Sequence, residues 1–284
     1  MARRPSFGDE PMSRLAVWSA RLAWFALAVA GLSIIIVRSG LLEIVPSLAT
    51  FGAALVFAVL SILLALASFV VIWRDGLAGL GRALITIFIS LLLLAYPAYL
   101  GSRALKLPAI DDISTDTGSP PRFDVLARLR PRGTNEYPAR NAELQRKAYP
   151  EVVPLMADAE PKQVYDITLA LITKHKWLVV DARPPAPRRD GTIEMVVRTP
   201  IMGFRDDVAI RIRAAGEGTR VDVRSASRYG MHDFGTNARR IRALLDEIDE
   251  AVSNAPEPRP AQPSAPQQRK SPPEKRPAPA NRRQ

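Results

Sequence analysis

The sequence predicts an α+β protein in which three transmembrane helices precede a four-stranded antiparallel sheet with two helices packed on one face. Three observations predict it. The first hundred residues hold three long runs without a charged residue, at 22–37, 44–73 and 83–100. Four short segments between Trp177 and Ser227 alternate apolar and polar residues, the period of a half-buried strand. That block is flanked on both sides by segments whose apolar residues recur at helical spacing. The expected division is an anchor at 1–106, a proline-rich arm at 107–160, a soluble domain at 161–254 and a basic tail at 255–284.

A helix needs about 20 apolar residues to cross the hydrocarbon core of a bilayer. Residues 83–100 come close to that length and lie between Arg82 and Arg103. Residues 44–73 exceed it, so this helix tilts or extends beyond the core, with Pro46 suited to its first turn. Residues 22–37 are short, but 15–20 extend them and Arg21 can snorkel to the interface. The Ala28-Val29-Ala30 triplet fits a signal-peptide cleavage site, yet the apolar run continues through Ile34, Ile35, Ile36 and Val37, which favours an uncleaved span. Arg3, Arg4, Arg14, Arg21, Arg74 and Arg82 fall on one side of the spans, against Arg38, Arg103 and Lys106 on the other. That bias puts the amino terminus in the cytoplasm and the soluble domain in the periplasm of a multi-pass inner-membrane protein. With no acidic or histidine residue in mid-span, a proton-coupled transporter is disfavoured.

The arm is rich in proline, which opposes long helices. It also carries Ile110, Ile113, Phe123, Leu126, Tyr137, Tyr149 and Val152, too many apolar groups for a solvated chain. It is expected to pack on the domain, with a short helix at 141–148. The domain opens with a helix at 161–175, where Pro161 sits at the start and Asp158 or Glu160 can serve the amino end. Strands follow at 177–182, 192–198, 206–213 and 219–227, the last two joined through Gly216-Glu217-Gly218. A helix at 235–252 closes the domain, with Ile241, Leu244, Leu245 and Ile248 as its buried stripe. The tail holds nine prolines and seven basic residues and is expected to be disordered.

The net charge of +11 suggests nucleic acid until it is divided by region. Residues 1–106 carry nine basic against four acidic residues, 107–254 carry twenty-three against twenty-two, and 255–284 carry seven against two. A nucleic-acid-binding domain would hold the excess itself, so that class is disfavoured. The chain has no cysteine, which removes disulfides and thiolate metal sites. Its two histidines, His175 and His232, have no metal-ligand spacing to carboxylates, and no glycine-rich phosphate loop is present. No cofactor is expected.

Val208, Ile210, Ile212, Val221 and Val223 point to one side of the sheet. The other side carries Glu194, Arg198, Arg211, Arg213, Arg220, Asp222 and Arg224. This is either a solvated face with cross-strand charge pairs or a site where guanidinium forks take an anionic lipid headgroup or wall polymer. Arg198, Arg211, Arg213, Arg224 and Arg228 are the candidate ligand-binding residues. Between the last strand and the last helix, Arg228, Gly230, His232, Asp233, Gly235, Asn237 and Arg240 form the densest polar stretch. Asp233 suits the helix N-cap, and Arg228 can pair with Asp233 or with Asp206 and Asp207. Ser225 or Ser227, with His232 and Asp233, is the local set that a hydrolase would need, but proximity in sequence does not assemble a triad.

The pattern Ser-Arg-x-Gly-x-x-Asp-x-Gly-x-Asn-x-x-Arg-Ile at 227–241 resembles the closing motif of domain-of-unknown-function family 1499. Phe204-Arg-Asp-Asp-Val208 with Arg211, Gln145-Arg-Lys-Ala-Tyr149-Pro150, and Ile113-Ser-Thr-Asp116 with Pro120-Pro121 and Phe123 are similar to its other blocks. The likeness covers about residues 110–252. It implies a membrane- or envelope-associated protein and brings no catalytic residue. The expectation is a non-catalytic domain whose partners are membrane lipids and an anionic envelope ligand. The alternatives are an envelope hydrolase and a membrane scaffold that recruits proteins.

Overall fold

A computed structural model describes residues 11–40, 43–130 and 135–255. Arg3 and Arg4 and nearly all of the basic tail lie outside the described residues. Three helices, α1 (Arg14–Ser39), α2 (Ile44–Asp75) and α3 (Leu80–Ala104), are long and apolar enough to cross a membrane. At 1.5 Å per residue they extend about 39, 48 and 38 Å, each longer than a hydrocarbon core of about 30 Å. Leu, Ile, Phe and Trp side chains point outward, while the helices meet through small residues. Ala16, Ala23, Ala26 and Ala30 of α1 are buried, as are Ala54, Ala58 and Ala65 of α2 and Ala83 of α3. Between apolar helices in an apolar solvent, close backbone approach and hydroxyl pairs supply the cohesion. Ser61 and Ser90 pair at 2.7 Å, and Ser19 and Thr86 at 3.4 Å.

The two ends of this bundle differ. At one end Ser13 N donates to Ala78 O and Ala78 N donates to Pro11 O, tying the entry of α1 to the α2–α3 turn. Arg21 and Arg82 come together there, across a shallow cleft with Trp24. At the other end Arg38 Nη1 donates to Pro200 O at 2.6 Å and Ile201 O at 3.0 Å, and Arg103 Nε donates to Phe234 O at 3.3 Å. The α+β domain is thus fastened to the carboxyl ends of α1 and α3 by guanidinium-to-carbonyl bonds.

The domain is built on a six-stranded antiparallel sheet, which corrects the expected four. The predicted strands are β3 (Leu178–Arg183), β4 (Gly191–Arg198), β5 (Arg205–Ala215) and β6 (Gly218–Ser227). The arm supplies the other two, β1 (Asp112–Ser114) and β2 (Leu155–Ala157). Both lie along the same edge of β6, β1 opposite 224–226 and β2 opposite 219–221. Three residues are too few to display a period of two, so sequence pattern alone misses them. The exposed edge of β1 is closed by a side chain from α4 (Ala139–Ala148). Gln145 Oε1 accepts from Ser114 N at 3.0 Å and its Nε2 donates to Ser114 O at 2.7 Å, so one amide stands in for a neighbouring strand.

Helices α5 (Pro161–Lys174) and α6 (Thr236–Ser253) pack on one face of the sheet. Ile193, Met195, Val208, Ile210, Ile212, Val221 and Val223 from the strands meet Val164, Ile172, Ile241, Leu244 and Ile248 from the helices. Each of these large side chains stabilises the fold by about 1.5–3 kcal/mol on full burial. Glu160 holds the cap position of α5, but its side chain makes no cap hydrogen bond.

The opposite face is not solvated. The arm crosses it as a roof, with Phe123, Leu126 and the short 3-10 helix Leu126–Leu129 packed on Val196, Ala209 and Ala226.

Candidate functional site

Under the roof, the expected arginine face becomes a set of internal ion pairs. Arg224 is 1% exposed. Its fork grips Asp112 at 2.6 and 3.0 Å, and its guanidinium lies 4.5 Å from the centre of the Phe123 ring. Arg211, Arg213 and Arg220 converge on Asp116 and the fully buried Asp222. Arg228 takes Asp207 through both terminal and ε nitrogens, which settles its partner as Asp207 rather than Asp233, and Arg130 joins the same carboxylate at 2.9 Å. Arg211, Arg213, Arg224 and Arg228 therefore hold carboxylates of their own chain.

The motif between β6 and α6 is a turn locked to a helix start. Asp233 Oδ1 accepts from Gly235 N and Oδ2 from Asn237 N, both at 2.8 Å, so the carboxylate caps α6. Asn237 reaches back with Nδ2 to Asp111 O at 2.9 Å and Ser227 Oγ at 3.1 Å. Arg240 bridges Asn237, Ser225 and Asp206. Gly235 has a φ of 75°, and a Cβ there would sit 2.7 Å from Arg103 Nη2 and 2.9 Å from Leu107 Cδ1. Glycine is needed for both the backbone and the close approach of α3. Gly230 has a φ of 86° with open space around it.

His232 Nδ1 accepts from Phe234 N at 2.9 Å, and the ring stacks on Phe234. Its accepting nitrogen is thereby occupied by backbone. Among the described residues no hydrogen bond joins Ser227, His232 and Asp233 to one another, so the hydrolase set is not assembled. His175 pairs with Glu247 at 2.6 Å and stacks on Trp177.

Burial pushes the carboxyl of Asp233 above the ordinary value of 3.8, against the pull of the Asn237 and Gly235 amides. Burial also raises Asp206, Asp112 and Asp111, with Arg240 and Arg224 opposing it at the first two. A carboxyl that titrates higher when folded binds its proton more tightly in the folded state. Its contribution to stability is complete below the unfolded value and is lost as pH rises through the folded one. Asp233→Asn removes one such titration. The thermal midpoint of the detergent-solubilised chain should then fall less between about pH 4 and about pH 7 than in the wild type. Equal falls would refute this linkage.

A groove of about 480 Å³ remains where the roof stops short of the sheet end. Leu129, Leu178, Val180 and Val196 line its apolar wall, and Lys176, Arg198, Arg205 and Arg228 its cationic one. Arg228 is engaged by Asp207, but among the described residues no carboxylate forms an ion pair with Lys176, Arg198 or Arg205. All three are exposed. Arg198 Nη1 instead donates to Arg38 O at 3.0 Å, at the carboxyl end of α1. Of the five candidate arginines, Arg198 and Arg228 reach this groove. Arg205 and Lys176 were missed. Arg205 is the second residue of the Phe204-Arg-Asp-Asp-Val208 block, and nothing in its spacing separates it from the paired arginines around it.

Fold and groove together define a domain with a cationic cleft, fastened to three helices of membrane-spanning length. Residues 112–248 match the family model described as "Protein of unknown function (DUF1499)", so this domain is similar to that family. No curated protein matches the chain. Among solved structures, CalU16 from Micromonospora echinospora aligns at 16% identity over 36% of this chain and 74% of that one, with a TM-score of 0.25. A likeness of that size carries no argument about function.

Proposed function

We propose that this protein is a non-catalytic component of a bacterial cell envelope, in which three inner-membrane spans present the α+β domain to the periplasm for binding an anionic envelope ligand. One observation carries the reading. The domain neutralises its buried arginines with its own carboxylates, yet among the described residues none pairs with Lys176, Arg198 or Arg205 at the mouth of a groove. Unpaired cations beside an apolar wall favour an anion with an apolar part. The placement is supported by charge: Arg14, Arg21, Arg74 and Arg82 cluster at the bundle end remote from the domain.

Native mass spectrometry of the full chain, extracted in mild non-ionic detergent, tests the binding. The expected spectrum shows one retained anionic adduct, lost from the Arg198→Ala, Arg205→Ala double variant. A bare chain in both preparations overturns the binding reading. A reporter fused after Asn254 that works only in the cytoplasm overturns the placement.

A further inference from the structure

The geometry points to an anionic phospholipid as the groove's ligand, drawn from the leaflet on which the domain sits, its phosphate held by Arg198, Arg205 and Lys176. This rests on the binding reading above and names the class of ligand. The groove's position favours a lipid. Helix α1 is apolar up to Val37, so Arg38 marks the level where the chain leaves hydrocarbon. The Arg198 guanidinium donates to the carbonyl of that residue, and the Arg205 guanidinium lies close to Gly40. The two forks therefore stand at headgroup height, where a lipid phosphate resides and a soluble anion is no more concentrated than elsewhere.

The opposite wall favours one too. Leu178 is 65% exposed and Leu129 57%, on two different elements that face the same cleft. Below them lie Val180 and Val196. A wall polymer or free phosphate has nothing to place against four aliphatic side chains, whereas the first methylenes of an acyl chain do. The volume lies within the roughly 300–1,000 Å³ of small-ligand sites, which suits a headgroup and the start of a chain, the rest of the lipid staying in the bilayer.

Lys176 adds a third cation. It follows α5 with a φ of 56°, a left-handed conformation disfavoured for a non-glycine residue at a position glycine usually fills. The chain places an ammonium there, on the groove wall between His175 and Trp177. The site as a whole offers three positive charges, with two planar forks that match a phosphate's oxygens.

The experiment uses the full chain in non-ionic detergent, stripped of co-purifying lipid, with binding read by native mass spectrometry. The probes are phosphatidylglycerol, phosphatidylcholine and glycerol phosphate. Phosphatidylglycerol is expected to bind at least tenfold tighter than phosphatidylcholine (on the order of 1.4 kcal/mol). Arg198→Ala with Arg205→Ala should weaken it at least tenfold, and so should Leu178→Asp on the apolar wall. All three positions are exposed, so unchanged thermal midpoints are expected to accompany the losses. Should glycerol phosphate compete equally and Leu178→Asp have no effect, the ligand is a soluble anion: the lipid assignment falls and the binding reading stands. Phosphatidylglycerol binding that ignores both groove variants reports only lipid around the helices and overturns the assignment. If no probe binds in a groove-dependent way, both readings fail together.

Discussion

Arg224→Ala is expected to cost the domain about 3–5 kcal/mol with no ligand present, the usual result of removing one partner of a buried ion pair. The guanidinium closes a fork on Asp112, donates to Pro121 O and Asn135 O, and lies between the Phe123 and Tyr137 rings. Its loss leaves Asp112 buried among groups that cannot solvate it, and burial already pushes that carboxyl upward. Without the arginine, Asp112 takes up a proton and the roof loses its central contact. Arg213→Ala is the contrast. Arg213 is a half-exposed member of a cluster in which Arg211 and Arg220 also reach Asp116 and Asp222, so about 0–1 kcal/mol is expected. Pulse proteolysis of the full chain in urea measures both. The double exchange Asp112→Leu, Arg224→Met removes the charge pair without stranding either charge, and should be milder than Arg224→Ala alone. A fold indifferent to Arg224→Ala would mean that the pair is not buried as described.

The contrast shows why an arginine face read from sequence differs from the same face folded. Alternation places Arg211, Arg213, Arg220 and Arg224 opposite Val208, Ile210 and Ile212, and that much was legible, as were the four long strands and the helices at either end. What covers the face was not. Asp222 and Asp207 lie on the sheet itself, but the other two carboxylates, Asp112 and Asp116, come from the arm, about a hundred residues away in sequence. One signal was present in the near balance of twenty-three basic against twenty-two acidic residues between 107 and 254. A balance that close, in a domain with so many arginines, is what extensive internal pairing requires. The arm's apolar content was a second signal. It announced packing, though two strands of three residues each exist only through pairing with β6 and leave no periodic trace of their own.

The candidate site divides in the same way. The turn chemistry of the closing motif was legible, because an aspartate before a glycine at a helix start has few other uses, and Asp233 does cap α6. The groove was not, since it depends on where the roof ends. Arg198 and Arg228 are similar in sequence context, yet of the two only Arg228 pairs with a carboxylate among the described residues. In the bundle, the alanine and serine positions that bring α1, α2 and α3 together were hidden inside runs that composition marks only as apolar.

Glu194→Ala is expected to release the roof from the sheet while leaving the sheet folded. Glu194 sits on β4, 1% exposed, and spends its charge on backbone. Oε1 accepts from Asp124 N at 2.8 Å and Val125 N at 3.2 Å, and Oε2 accepts from Leu126 N at 2.8 Å. These donors form the amino end of the short helix that carries Leu129, where the helix has no internal acceptor for them. The carboxylate therefore pins the roof to the sheet and fixes one wall of the groove. Alanine leaves the Leu126 amide buried without an acceptor, at about 1–3 kcal/mol for that group, and the two more exposed amides pass to water. A total of about 2–4 kcal/mol is expected on that basis, with new protease cleavage confined to residues 122–130. Glutamine keeps one accepting oxygen, so Glu194→Gln should fall between alanine and the wild type. Because the α5 and α6 side of the sheet does not depend on Glu194, hydrogen exchange at Val208, Ile210 and Val223 should remain slow. Lipid retention should drop with the roof even though every groove cation is intact, which separates a shaped site from a merely basic surface. Uniform loss of protection across the sheet would show instead that roof and core unfold as one unit.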